Sequence, residues 1–438
     1  MSKVMTIHRL AGVVATLFVL LASAGVDAAT VWDISNVPQL DNALSNLSAG
    51  DEMVLQAGTY YLDRVVALNL PDVTIRGATG NRDDVVLIGG GMNTHGVDEG
   101  ITIGADNVTV RNLTLKDFFY NALHLRAESD ISGAVISNVK TWNIGERHVK
   151  GSKDGNLNHT CDNTLIENVY MLQTEPRLDT NPSGGDYIGG MDIMATNNLT
   201  IRDCVAEGIR GFTGGGNAAI FLWQGHNNFT IERNVITDCN KGIGIGLCYY
   251  AGATISGGWH ADGGAIRNNT VLRCGGYDGN NIGLELCGLK NVDVHHNTIY
   301  SPDVTYFRNV SVWDDGNIPI SNLDVQNNIF YGGVFDIAGG DWSPTAVRDM
   351  GNIVDTDGSI VLPDWFVDVA AGDLHLTASA TGAIDAAQSL ATVTDDVDAE
   401  GRPIGAAPDF GADEYVPEPA TLCLVVAGAC AAVLRRPQ

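Results

Sequence analysis

The side chains of this chain that could do chemistry are dispersed acids and bases. Glu285, Asp314 and Asp315 are the carboxylates nearest to a reactive set. Two carboxyl groups roughly 5 to 9 Å apart can act as the acid and base of glycoside hydrolysis. The same oxygens suit Ca2+. Lys150, Lys241, Arg210 and Arg308 offer a different chemistry. Eliminating a uronate requires a base for the proton beside its carboxylate and a cation that neutralises that carboxylate. A third group, His124, Asp192, Trp223, Trp313, Tyr249 and Trp259, fits recognition, because aromatic faces stack on sugar rings and the polar groups meet hydroxyls.

What brings these residues together is a repeat. IERNVITDC from Ile231 returns as IRNNTVLRC from Ile266, VHHNTIYSP from Val294 and VQNNIFYGG from Val325. Upstream the series continues through Ile75, Val110, Ile136, Ile166 and Ile201, and the anchors step by 35, 26, 30, 35, 30, 35, 28 and 31 residues. Unequal steps exclude a helical hairpin repeat of fixed length and suit coils of a parallel β-helix, whose loops vary while its strands keep register. Each anchor lies in a short run of β-branched and apolar residues with period two, as a half-buried strand should.

Three residues past the anchor, Asn234, Asn269, Asn297 and Asn328 are expected to stack at about 4.8 Å and hydrogen-bond through their amides at a corner of the coil. Cys239 with Cys274, and Cys248 with Cys287, share repeat positions and so become candidate disulfides between adjacent coils. Buried free thiols are the expected state, since parallel stacking need not supply the disulfide torsion. No Cys/His spacing suggests zinc.

Alternation within one strand per coil places His124, His148 with Lys150, Asp192, Trp223, then Gly242, Gly244 and Gly246, Glu285 and Trp313 on an outward line. Such a line could be a groove for a sugar chain, overhung by an insertion with Tyr249, Tyr250, Trp259 and His260. Alternatively, the glycines simply fit a tight coil and the Trp residues cover a seam. Asp192 and Glu285, three coils or about 14 Å apart, are too distant to be partners. Glu285 and Asp315 are one coil apart.

Residues 30–390 resemble the right-handed parallel β-helix proteins of the pectate-lyase-like superfamily, on GDEMVLQAGTYYL, VTIRGATGNRDDVVL, the NxTIxxN series and GDLHLTASATGAIDAA. The resemblance implies an all-β, right-handed parallel β-helix, a single-stranded solenoid. It also makes lyase chemistry with a Lys or Arg base and Ca2+ plausible. Matches to a lyase catalytic motif or to polygalacturonase-type Asp pairs are missing. DDVDAEGRPIGAAPDFGADEY resembles the choice-of-anchor Q ending, so residues 391–415 are expected to cap the open edge of the coil.

Both ends read as addresses. Lys3, His8 and Arg9 precede LAGVVATLFVLLASA, the pattern of a secretory signal peptide over residues 1–29. Residues 416–438 carry Pro-Glu-Pro, a short apolar run and Arg435–Arg436, which resembles a PEP-CTERM sorting signal. That resemblance implies an exosortase-type protease, transient membrane contact through a C-terminal helix, and the envelope surface or matrix of a Gram-negative-type bacterium. Acids outnumber bases 52 to 25, a net charge of -27, which argues against nucleic acid as a partner. Three functions follow: a surface protein that binds extracellular polysaccharide, a polysaccharide lyase or glycoside hydrolase, and a purely structural adhesin.

Overall fold

A computed structural model describes residues 28–178, 182–247, 258–272, 281–301, 308–313, 320–333, 335–336 and 347–417. The signal and sorting segments therefore lie outside the described residues, apart from their inner edges.

Successive coils pile strand upon strand into two long parallel sheets. Sheet A has 22 strands and sheet B has 10. A typical coil gives sheet A two strands separated by a corner and sheet B one, as with His226–Glu232, Val235–Thr237 and Lys241–Ile245. Met53, Ile75, Val110, Ile136, Ile166, Ile201, Ile231, Ile266, Val294 and Val325 pair in one continuous register. All ten side chains are buried in the core. The nine anchors of the repeat thus mark one column, and the fold is the expected right-handed parallel β-helix. Its interior is a single apolar cluster running from Ile34 to Phe330.

The corner has a local cause. In eight successive coils the residue before it, Asn112, Asn138, Asn168, Asp203, Arg233, Asn268, His296 or Asn327, has φ between 50° and 61°. Asn and Asp tolerate this left-handed conformation, which explains their recurrence. Arg233 and His296 do not share that tolerance and are tied down. Arg233 is ion-paired with Asp203 at 2.8 Å and Asp395 at 2.7 Å, and His296 Nδ1 lies 2.8 Å from the Arg402 guanidinium while Asn327 Nδ2 donates to its Nε2 at 2.9 Å.

The next residue forms the ladder. Asn234, Asn269, Asn297 and Asn328 each donate from Nδ2 to Oδ1 of the following Asn at 2.8 to 2.9 Å. The last acceptor is Asn352, which the repeat pattern did not include. Each of these oxygens also accepts the backbone N–H of the Asn before it, and each Nδ2 reaches a strand carbonyl as well. The buried amides are fully engaged with one another and with the backbone.

At the N-terminal end helix Val37–Ser45 lays Leu40 and Ala43 over the first coil, with Asn36 as its N-cap. At the other end Trp365, Phe366, Leu374 and Leu376 pack on Leu272, Tyr300 and Ile329, building a second apolar cluster on the outer side of sheet A. Residues 391–415, expected over the end of the coil, run along its flank. Arg267 donates to the Thr392 carbonyl, Asn268 to the Asp395 carbonyl at 2.9 Å, and Asn327 to the Gln388 carbonyl at 2.8 Å. The segment is closed by the buried Arg402 guanidinium, which donates to Glu414 at 2.8 Å and to the carbonyls of Asp409, Gly411 and Ala412.

Candidate functional site

Sheet B positions the chemistry. Its pairing sets Thr102, His124, Lys150, Asp192, Phe221, Gly244, Glu285 and Ser311 in one column. A second column holds Glu99, Asn121, Arg147, Gly189 at its lower end and Ala218, Lys241, Ile282, Arg308 at its upper end. Arg147 and Lys150 lie on the same side of the sheet, both reaching Asp192, although they are three positions apart. His148 and Val149 between them are both buried, and the pairing to the two neighbouring strands keeps one register throughout. His148 is fully buried and its Nδ1 sits 2.7 Å from the Thr141 hydroxyl. Strict alternation therefore misassigned His148, and it missed Arg147.

Three ionic groups follow along this face. His124 Nδ1 lies 2.7 Å from Glu99 Oε1, which also accepts from Asn121 at 2.8 Å. Burial would raise the Glu99 pKa, but the bonds from His124 and Asn121 and the His124 charge pull it below the ordinary carboxylate range. Asp192 Oδ2 accepts from both Arg147 Nε at 2.8 Å and Lys150 Nζ at 2.9 Å. Asp192 is only 2% exposed. Burial opposes its ionisation, yet the Lys150 and Arg147 charges prevail and lower its pKa. Lys241 Nζ reaches Glu285 Oε2 at 2.8 Å, the two side chains being 19% and 17% exposed. Arg308 donates to the Ser311 hydroxyl at 3.4 Å.

Several expectations need correcting. Asp192 is not an open hydroxyl acceptor; it is the shared counter-ion that fixes Arg147 and Lys150. Trp313 is in the register of Cys287, and Ser311 takes the position beside Glu285. Gly242 points inward, where a Cβ would meet the Gly283 carbonyl at 2.3 Å. Gly244 alone belongs to the outward column, and a Cβ there would lie 3.1 Å from the Phe221 ring. The glycine run therefore serves close packing rather than ligand access. His260 is fully buried and Trp259 half-buried, so this end of the insertion is built into the coil.

Trp223 is half-buried against the core, its ring stacked 6.4 Å from that of Phe221. Tyr249, Cys248, Cys274, Asp314 and Asp315 lie outside the described residues. Cys287 is disulfide-bonded, contrary to the expected free thiol, and its partner is not among the described residues. Cys239 is a buried free thiol, so the Cys239–Cys274 bridge does not form.

Chemically, the face offers cations held by carboxylates on neighbouring rungs. Arg147, Lys150, Lys241 and Arg308 stand against Glu99, Asp192 and Glu285, so a protein of net charge -27 carries a seam with more basic than acidic groups. Glu99 and Arg147 escaped the sequence reading. The clue was their common register with Asn121, visible only once the strand pairing is known.

The sequence matches no protein-family model and no curated protein. Among solved structures, pectate lyase Pel9A resembles the chain with a TM-score of 0.51 and 14% identity, over 90% of this chain and 98% of that one. The PL6 family polysaccharide lyase Pedsa3628 from Pseudopedobacter saltans gives a TM-score of 0.41 at 14% identity, over 76% and 94%. An alginate lyase from Paenibacillus sp. gives 0.39 at 16%, over 64% and 95%. The first of these likenesses supports the coiled parallel-sheet fold, and at such identity it supports the fold alone.

Proposed function

We propose that this protein binds an acidic polysaccharide lengthwise along the outer face of sheet B. The observation that carries this reading is the seam from Lys150 to Lys241 and Arg308, whose rungs repeat at the strand spacing of about 4.8 Å. Carboxylates of a uronate chain would meet the cations, and its hydroxyls would meet Glu285 and Glu99. The predominance of acidic residues elsewhere makes this seam the favourable landing place for an anion. Export and attachment at the cell surface belong to the same reading and rest on the two terminal segments.

Cleavage is the second reading, favoured by the likeness of fold to a pectate lyase. Lys241 or Arg308 would then supply the base or cation, and Ca2+ would sit with Glu285, Asp314 and Asp315. Titration calorimetry with uronate and neutral oligosaccharides, paired with absorbance at the unsaturated-uronate band with and without Ca2+, separates the two. The expected result is saturable uronate binding, weakened about 10-fold or more by Lys241→Met, since charge-assisted hydrogen bonds contribute about 1.5 to 3 kcal/mol. A rise in absorbance would establish the lyase instead. Binding that ignores Lys241→Met would remove the seam from consideration.

A further inference from the structure

We propose that His375, Asp398 and Asp413 form a site for a divalent transition cation that fastens the C-terminal segment to the flank of the coil. The site is separate from sheet B and independent of the function proposed for it. The three residues come from the strand Asp373–Leu376 and from two later turns of the tail. One donor atom from each, an imidazole nitrogen and two carboxylate oxygens, all lie within 4.8 Å of one another.

The histidine is oriented for this task. Asp373 Oδ1 is 2.6 Å from His375 Nδ1, and Asp398 Oδ2 is 2.8 Å from His375 Nε2. With its Nδ1 proton given to Asp373, the ring presents the Nε2 lone pair to the side where Asp398 and Asp413 lie. A carboxylate behind a histidine in front of a metal is a recurrent second-shell arrangement.

Asp413 gives an independent reason. It is 6% exposed, and one of its oxygens accepts the Leu376 N–H at 2.6 Å. Leu376 N–H is the one donor given to this carboxylate among the described residues, and the carboxylate lies against the donor atoms of His375 and Asp398. Asp373, Asp396 and Asp398 bring further negative charge, while the buried Arg402 is engaged by Glu414. A bound cation would offset the repulsion among these carboxylates. A cavity of about 280 Å3, lined by Val235, Thr270, Gly372, His375 and Asp398, leads to the cluster from outside. Mixed imidazole and carboxylate donors suit Zn2+ or its neighbours better than Ca2+, which takes oxygen alone.

The test is Zn2+ titration calorimetry on the full chain after chelation, with Co2+ absorption as a spectroscopic report of nitrogen ligation. One equivalent should bind, and His375→Ala and Asp398→Asn should each weaken binding at least about 10-fold. Asp373→Asn should weaken it about 10-fold while keeping the stoichiometry, as loss of an outer-shell partner does. Asp398 is exposed and His375 partly exposed, so the Asp398 variant in particular keeps the fold. Absence of stoichiometric Zn2+ binding by the unaltered protein overturns the proposal. So does binding that survives His375→Ala and is abolished by Asp324→Asn, which would transfer it to the cluster of Asp293, His295 and Asp324.

Discussion

At the corner of sheet A one amide follows another, each giving and receiving the same bond; on sheet B every rung carries a different side chain. Identical stacking closes on itself. Asn269 donates to Asn297 and accepts from Asn234, leaving nothing for an outside molecule. Unlike stacking is satisfied only by crossing between rungs, as Lys241 does to Glu285, and it leaves charges partly open to solvent. One column makes the solenoid regular. The other makes it specific.

This contrast can be broken at either column. The largest effect should come from Asp192→Leu, which strands the buried Arg147 without its counter-ion. Removing one partner of a buried pair costs about 3 to 5 kcal/mol, and urea denaturation should show that loss. Adding Arg147→Met should restore part of it. Asn269→Ala should cost about 2 to 4 kcal/mol by the same measurement, because it leaves the Asn234 N–H and the Ile231 carbonyl buried without partners.

Acid should act on the interior common to both columns. Burial drives the pKa of His148 and of His226 from 6.5 down to about 3. Between those values the unfolded chain takes up protons that the folded one refuses, so stability should fall as pH drops from 6.5 towards 3. The slope is at most about 1.4 kcal/mol per pH unit for each histidine. Replacing either by Gln should flatten the dependence.

Lys241→Met should cost under about 1 kcal/mol, as partly exposed ion pairs contribute little, yet weaken glycan binding as stated above. An unchanged affinity would reduce sheet B to scaffolding. The smallest effect concerns the thiols. Cys161, Cys204 and Cys239 are buried, and burial raises all three above the ordinary thiol range, Cys204 and Cys239 to about 12. A thiol reagent should leave them unmodified in the native protein and label them after unfolding.

The coil itself was legible because its anchors are β-branched residues with a fixed Asn offset, and both signals are local. Asn352 was not, because its strand Val347–Met350 reads VRDM and has an acid in the anchor column. The face of sheet B was half legible. Lys150 and Glu285 fall where alternation puts them, whereas alternation that sets Gly242 outward hides Lys241, and RHVKG gives no sign that His148 turns in and Arg147 out. The course of the tail was hidden for another reason. The bond between Arg402 and His296 joins residues 106 positions apart, and neither composition nor periodicity encodes such a partner.

The backward course of that tail has a mechanical consequence. Gly411 donates to the Asn327 carbonyl and Ala412 to the Thr298 hydroxyl, so the polypeptide, having gone back as far as Arg233 at Asp395, returns along the flank of the coil before it departs. Tension applied beyond Pro417 would shear the Arg402 knot before it could unwind a single turn. A molecule moored by that strand would lie broadside, its long axis along the supporting surface and its flank of ten stacked strands free to sweep whatever lies alongside.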